Sequence, residues 1–171
     1  MENKLITDLI RVCKVLNNYN VEYLIVGGTA VAIHGYFRIT TDIDGTPNEK
    51  HDLDFWYNPT YQNYFNLLKA LEEIGLDTSM FREESSPNPK KSYFKFETND
   101  FSFDFLPELL SLKKFGSSFK KKEMAEIAGT EIWFLGYDDL IIEKQASGRS
   151  KDIIDIEQLK IRNSSFGKQR Q

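Results

Sequence analysis

The sequence predicts an α/β (α+β) domain: a mixed β-sheet core flanked by helices, with C-terminal helices closing it. Three observations lead there. Short runs rich in aromatic and β-branched residues alternate with longer segments at helical apolar spacing. One pair of such runs is separated only by Thr98-Asn99-Asp100, which makes it a hairpin and the sheet mixed. Phe and Tyr are abundant, at 13 and 8 copies, and both favour strands packed against helices.

The elements follow in order. Residues 3–18 place Leu5, Ile6, Leu9, Val12, Cys13 and Leu16 on one stripe, which predicts a helix that the asparagines at 17, 18 and 20 terminate. Cys13 falls on that stripe and reads as a small core residue. VEYLIV at 21–26 is a buried strand, and Gly27-Gly28 turns it into a short helix ending near Gly35. Residues 36–51 read as irregular. DLDFWY at 52–57 is a strand, followed by a helix with Asn58 as N-cap, Pro59 at its first position and Gly75 as its stop. Tyr61, Phe65, Leu68 and Leu71 are its expected inward face, with Leu67 and Ile74 beside them. A loop at 83–91 leads to the hairpin SYFKFE/FSFDFL. Pro107 is expected to open a helix, PELLSLKKF, and KKFGSSFKKK at 113–122 to be a solvated basic face. TEIWFL at 130–135 is the last strand. Two helices broken near Gly148 follow, Ser150 capping the second. The organisation is a single domain over 1–171, with its core at 21–135, a helical part at 137–162 and a polar tail at 163–171.

Composition bounds the function. Net charge is −4, which creates no global field for nucleic acid. One cysteine excludes an intrachain disulfide, and no apolar run approaches the roughly 20 residues of a membrane span. The N-terminal residues lack a signal-peptide core. These features together predict a cytoplasmic protein.

Chemistry is concentrated in carboxylates. Asp52 and Asp54 lie two apart on a strand, so they share a face while Leu53 and Phe55 point to the core. In FSFDFL, Asp104 and Ser102 oppose Phe101, Phe103 and Phe105. If the two strands are neighbours, Asp104 joins Asp52 and Asp54, and three clustered carboxylates call for a cation. Oxygen-only ligands suit Mg²⁺ or Mn²⁺ rather than zinc. Gly27-Gly28-Thr29 lies at a strand–helix turn, where glycine permits close approach of a phosphate and the helix start offers N–H groups. The bland readings are a solvated strand edge for the Asp pair and a purely steric turn for the glycines.

In this order, Val26-Gly27-Gly28-Thr29, then Asp52-Leu53-Asp54, then Phe103-Asp104-Phe105, the chain resembles the nucleotidyltransferase superfamily with the polymerase-beta-like fold. Gly35-Tyr36-Phe37-Arg38-Ile39-Thr40 and the ending EKQASGRSKDIIDIEQL resemble minor members associated with toxin–antitoxin systems, and the likeness spans residues 21–160. One departure stands out. Arg38, Thr40, Asp42 and Asp44 have the family's continuous spacing, yet Gly45-Thr46-Pro47 cannot continue a central strand. Only Asp54 precedes an apolar strand, so Asp52/Asp54 is the expected pair, and about ten residues before it read as an inserted flap.

The resemblance implies metal-dependent transfer of a nucleoside monophosphate from an NTP, with ATP the expected donor, to the hydroxyl of an RNA, protein or small molecule. It implies metal and catalytic roles for Asp52, Asp54 and Asp104, and nucleotide contacts from Gly27, Gly28, Thr29, Arg38, Arg149 and Lys151. A toxin–antitoxin setting follows from the resemblance alone. The alternative is a catalytically silent nucleotide-binding or antitoxin-type module on the same fold. His34 reads as a packed histidine, His51 as a neighbour of the site, and Trp56 as core or a base-pocket wall. Lys144 reads as structural. Phe115 and Phe119, interleaved with lysines, allow an RNA-contacting reading of 113–122. The oligomeric state is left open.

Overall fold

The computed structural model describes residues 4–36, 51–99 and 101–168. Helix α1 (Lys4–Asn18) leads to β1 (Tyr23–Ile25), α2 (Gly27–Ile33) and β2 (His51–Tyr57). Then come α3 (Tyr61–Ile74), α4 (Ser79–Arg82), β3 (Phe94–Glu97), β4 (Phe101–Leu106) and α5 (Phe115–Phe119). Strands β5 (Glu123–Ile127) and β6 (Thr130–Phe134) precede α6 (Tyr137–Ser147) and α7 (Ser150–Lys168). The strands form one mixed sheet in the order β3-β4-β2-β1-β6-β5. Strand β2 is parallel to β4 and antiparallel to β1, and β1 is parallel to β6. No described helix is long and apolar enough to cross a membrane.

Alternation along β2 and β4 divides the sheet into two faces. Leu53, Phe55 and Tyr57 join Phe101, Phe103 and Phe105 on one, and α1 packs against α3 and β6. Phe55 and Phe105 are partners in register, and their rings stack at 4.8 Å and 11°. Tyr64 of α3 meets Phe94 of β3, and Cys13 is buried on α1, its thiol pushed up to about 12 by burial. Trp56 belongs to the other face, where it is buried against Phe115 at 5.2 Å and donates from Nε1 to the Pro107 carbonyl.

Several expectations are corrected. Helix α3 begins at Tyr61 and is capped by Thr60, whose Oγ1 accepts from the Asn63 N–H, not by Asn58. Asn58 instead donates from Nδ2 to Glu22. The buried face of α3 is Tyr64, Leu67, Leu68 and Leu71, while Tyr61 and Phe65 are exposed. Both stripes contain Leu68 and Leu71, so periodicity leaves the rotation undecided. Asn63 decides it: buried, it accepts from the Glu22 N–H at 2.7 Å and donates to the Glu22 and Asn58 carbonyls. No helix forms over 107–114. There the N–H groups of Leu110 and Ser111 donate to the Glu143 carboxylate of α6, so the backbone is satisfied from outside. The helix comes later, at Phe115–Phe119, and buries Phe115 in a segment expected to be solvated. Strand β5 was not expected; it is an edge strand reached through Ala128 and Gly129, both at positive φ. Helix α7 continues to Lys168, past the expected start of a polar tail.

Asn63→Ala removes three side-chain hydrogen bonds and strands the Glu22 main chain. We expect a loss of about 2–4 kcal/mol in urea denaturation, whereas Tyr61→Ala, on the exposed side of the same turn, changes stability by less than about 0.5 kcal/mol.

Candidate active site

Strand pairing decides which carboxylates meet. Asp54 and Asp104 are direct partners in the parallel β2–β4 ladder, and Asp52 is the partner of Ser102. The three aspartates therefore share the face opposite the Phe55–Phe105 stack. Asp52 is exposed, and Asp54 and Asp104 are half-buried. Ser102 donates to Asp52 Oδ1 at 2.8 Å, and Asp104 Oδ1 is buried without a hydrogen-bond partner. Among the described residues, no three His, Cys, Asp or Glu side chains converge as a ready-made metal cage.

The β1–α2 turn closes on this pair. The Val26 N–H donates to the Asp54 carbonyl at 2.9 Å, extending the β1–β2 ladder to the turn. Gly27 follows at φ 63, and a Cβ there would lie 2.2 Å from Asp54 Oδ2. Glycine is thus required twice, for the left-handed backbone and for the carboxylate beside it. The Thr29 hydroxyl, assigned by resemblance to a nucleotide, donates to the Asp52 carbonyl at 3.1 Å and fixes α2 to β2.

Helices α6 and α7 supply the positive charge. Lys144 is buried and donates to Asp152 at 2.7 Å and Asp155 at 2.8 Å, both fully buried. Arg149, at the elbow, donates from Nε to Asp152 at 2.7 Å, and its main-chain N–H donates to the same carboxylate. Asp152, third in α7, thus reaches back to cap the helix, a task expected of Ser150. Burial alone would raise the Asp152 carboxyl, but hydrogen bonds from Arg149, Lys144 and Ser147 outweigh it and hold the group well below the usual carboxylate range. Lys144 is structural, as expected. Lys151 and Lys144 both act on Asp54 from this side, and Arg149 feels Asp54 in turn.

Asp54 records the balance. Its carboxyl is pushed up to about 6, first by burial and then by repulsion from Asp104 and Asp52, against the pull of Lys144 and Lys151. One neighbour went unnoticed in the sequence. Tyr93, just before β3, faces Asp104, and burial together with that carboxylate pushes its phenol up to about 12. A tyrosine at a hairpin start carries no sequence signal of such a role; only the β3–β4 register places it. His34 is packed as expected, Nε2 lying 2.9 Å from the Leu135 carbonyl and the ring edge-on to Phe134. Phe115 is buried and stacks on the half-buried Phe119, and Lys122 lies over Phe119. Arg38, Asp42, Asp44 and most of the inserted flap lie outside the described residues, as does the side chain of His51.

No family model and no curated protein matches this sequence. Solved structures do match its fold. A Thermotoga maritima protein assigned as a nucleotidyltransferase superposes with a TM-score of 0.56 at 17% identity, covering 96% of each chain. The chain has the nucleotidyltransferase fold. The antibiotic-resistance factor ANT(2'')-Ia shares it with a TM-score of 0.53 at 18% identity, over 99% of this chain and 95% of that one. The lincosamide antibiotic adenylyltransferase LnuA shares it with a TM-score of 0.55 at 14% identity, over 94% and 96%. In these nucleotidyltransferase-fold terms the face bearing Asp54, Asp104 and the Gly27 turn is the candidate active site.

Two outcomes follow. Asp54 has its folded pKa near 6 against an ordinary value of 3.8, so between these the folded state holds a proton that the unfolded chain has released. Stability therefore falls as pH rises through that window. Asp54→Asn should be more stable than the parent at pH 7 without divalent ions, by up to about 3 kcal/mol, with a flatter stability profile between about pH 4 and 6. Gly27→Ala should cost about 2–4 kcal/mol in the parent, but only the backbone part of about 1–2 kcal/mol in an Asp54→Ala background.

Proposed function

We propose that this chain transfers a nucleoside monophosphate from an NTP to an acceptor hydroxyl, with Mg²⁺ or Mn²⁺ as cofactor. The observation that carries the reading is the in-register pairing of Asp54 with Asp104 beside a glycine turn that leaves no room for a Cβ. The residues fit a hard divalent cation. All donors are carboxylate oxygens, Asp104 Oδ1 is buried and unpartnered, and Asp54 is held near 6 by burial and its acidic neighbours. Two carboxylates suffice, because Mg²⁺ completes its shell with water and substrate phosphates. Asp54 and Asp104 would hold the ion, with Asp52 joining when it leaves Ser102. When bound, the metal supplies charge neutralisation at the phosphates and lowers the pKa of the acceptor hydroxyl.

The chain's own residues do the positioning. The main-chain N–H groups of Gly27, Gly28 and Thr29, in the first turn of α2, would cradle the phosphate chain. Asp104 would also accept the proton of the acceptor hydroxyl as it attacks. Arg149, pre-oriented by Asp152, and Lys151 face the same side and balance the phosphate charge. The work is orientation and electrostatics, with no covalent intermediate on the protein.

ATP as donor and a small-molecule acceptor draw support from the company of the fold. ANT(2'')-Ia has been captured with adenylyl-2''-tobramycin, and LnuA with lincomycin. A role beside a toxin or antitoxin rests on the sequence resemblance alone.

Purified protein with ATP, Mg²⁺ and a panel of hydroxyl-bearing aminoglycosides, lincosamides and RNAs should release pyrophosphate. Asp54→Asn and Asp104→Asn should each lower the rate at least about a hundredfold. Saturable ATP binding with no pyrophosphate across the whole panel would favour the silent module instead.

A further inference from the structure

Two carboxylates of the candidate site have neighbours that fix them. Ser102 donates to Asp52 Oδ1 at 2.8 Å, and the Gly27 turn closes on Asp54 so tightly that a Cβ would meet its Oδ2. Asp104 lies one strand from the edge of the sheet, next to β3. The β3–β4 register pairs Phe94 with Phe105 and Lys95 with Asp104. Alternation therefore puts Lys95, and Tyr93 just ahead of the strand, on the carboxylate face. Phe94, between them, is buried on the opposite face against Tyr57, Tyr64 and Phe81.

Tyr93 is exposed, yet its backbone is held on both sides. Before it, the Ser92 carbonyl accepts from the hydroxyl of Tyr57, a buried residue of β2 that also donates to the Pro89 carbonyl at 2.8 Å. After it, Phe94 is locked in the core. A fixed mount of this kind aims a side chain. The Tyr93 phenol faces the Asp104 carboxylate as a hydrogen-bond donor, and Asp54 acts on it from one strand further. Asp104 Oδ1 stays without a partner. Lys95, the register partner of Asp104, forms its ion pair with Glu97 instead, at 4.0 Å. The donor offered to Asp104 is thus neutral. A neutral donor orients a carboxylate and leaves its charge for a metal ion, whereas an ammonium would compete with the ion.

We propose that Tyr93 is a positioning residue of the candidate metal centre: its hydroxyl holds the Asp104 carboxylate in the orientation that leaves Oδ1 to a divalent cation. The inference rests on the metal-dependent reading of the site. Tyr93 acts through Asp104 and itself touches neither the ion nor the reacting atoms.

Titration of the full chain with Mn²⁺ alone, the free ion read by electron paramagnetic resonance, tests this beside urea unfolding of the same proteins. The parent should bind Mn²⁺ saturably, and Asp104→Asn should weaken it. Tyr93→Phe, which keeps the ring and loses only the hydroxyl, should weaken Mn²⁺ about tenfold while unfolding cooperatively at the parent's urea midpoint. Lys95→Gln, on the same face, should not weaken it. No saturable binding by the parent, or binding indifferent to Asp104→Asn, would overturn this proposal together with the metal-dependent reading. Binding that Asp104→Asn weakens and Tyr93→Phe leaves unchanged would overturn the proposal alone. Equal weakening by Lys95→Gln, or loss of cooperative unfolding in Tyr93→Phe, would do the same.

Discussion

The parallel register of β2 against β4 is the constraint on which the rest of the molecule depends. It places Asp54 beside Asp104 and, on the reverse of the same pair of strands, Phe55 beside Phe105. One alignment therefore creates a repulsion and the packing that withstands it. Stacking and burial of two aromatic rings, worth a few kcal/mol, oppose the cost of two half-buried carboxylates side by side. Neither face makes physical sense alone. The aromatic side anchors strands that charge repulsion would otherwise push apart.

Charge compensation comes from a distant part of the chain. Lys144, Arg149, Asp152 and Asp155 carry two positive and two negative charges and form an ion-pair network at the elbow of α6 and α7. Such a network adds little net stability compared with an apolar substitute, because desolvation offsets the attraction. Its geometric effect is larger. Gly148, at φ 61, makes the bend, and the ion pairs set its angle. That angle presents Arg149 and Lys151 to the carboxylate side of the sheet. Helices that follow the last strand thereby become part of the candidate site.

Much of this was legible in the sequence, for physical reasons that differ by element. Strands β2 and β4 announced themselves by alternation and aromatic content, and that same alternation placed Asp52, Asp54 and Asp104 on one face before their neighbourhood was known. What failed was governed by contacts far away in the chain. The rotation of α3 is set by Asn63 gripping Glu22, 41 residues earlier. Residues 107–114 lack a helix because Glu143 satisfies two of their N–H groups. Strand β5 is short and polar, and its turn is Ala-Gly rather than the Asn-Gly that marks such hairpins. The lysines of 113–122 hid Phe115, which one aromatic partner, Trp56, draws into the core. Local pattern reports local preference; it carries no record of the residue that will arrive from elsewhere to complete a hydrogen bond.

The alternation along β2 also guards the assembly of the fold. A slip of one residue against its neighbours would turn Asp52 and Asp54 into the space lined by Phe105, Tyr23 and Tyr64, and would turn Leu53 and Phe55 to water. Two unpaired carboxylates in an aromatic interior make that arrangement far costlier than an ordinary misalignment between apolar strands. The acidic residues thus act as a proofreading device during folding, disfavouring the wrong strand pairing. A variant with apolar residues in their place would lose that safeguard, and its sheet would have several near-equivalent ways to assemble.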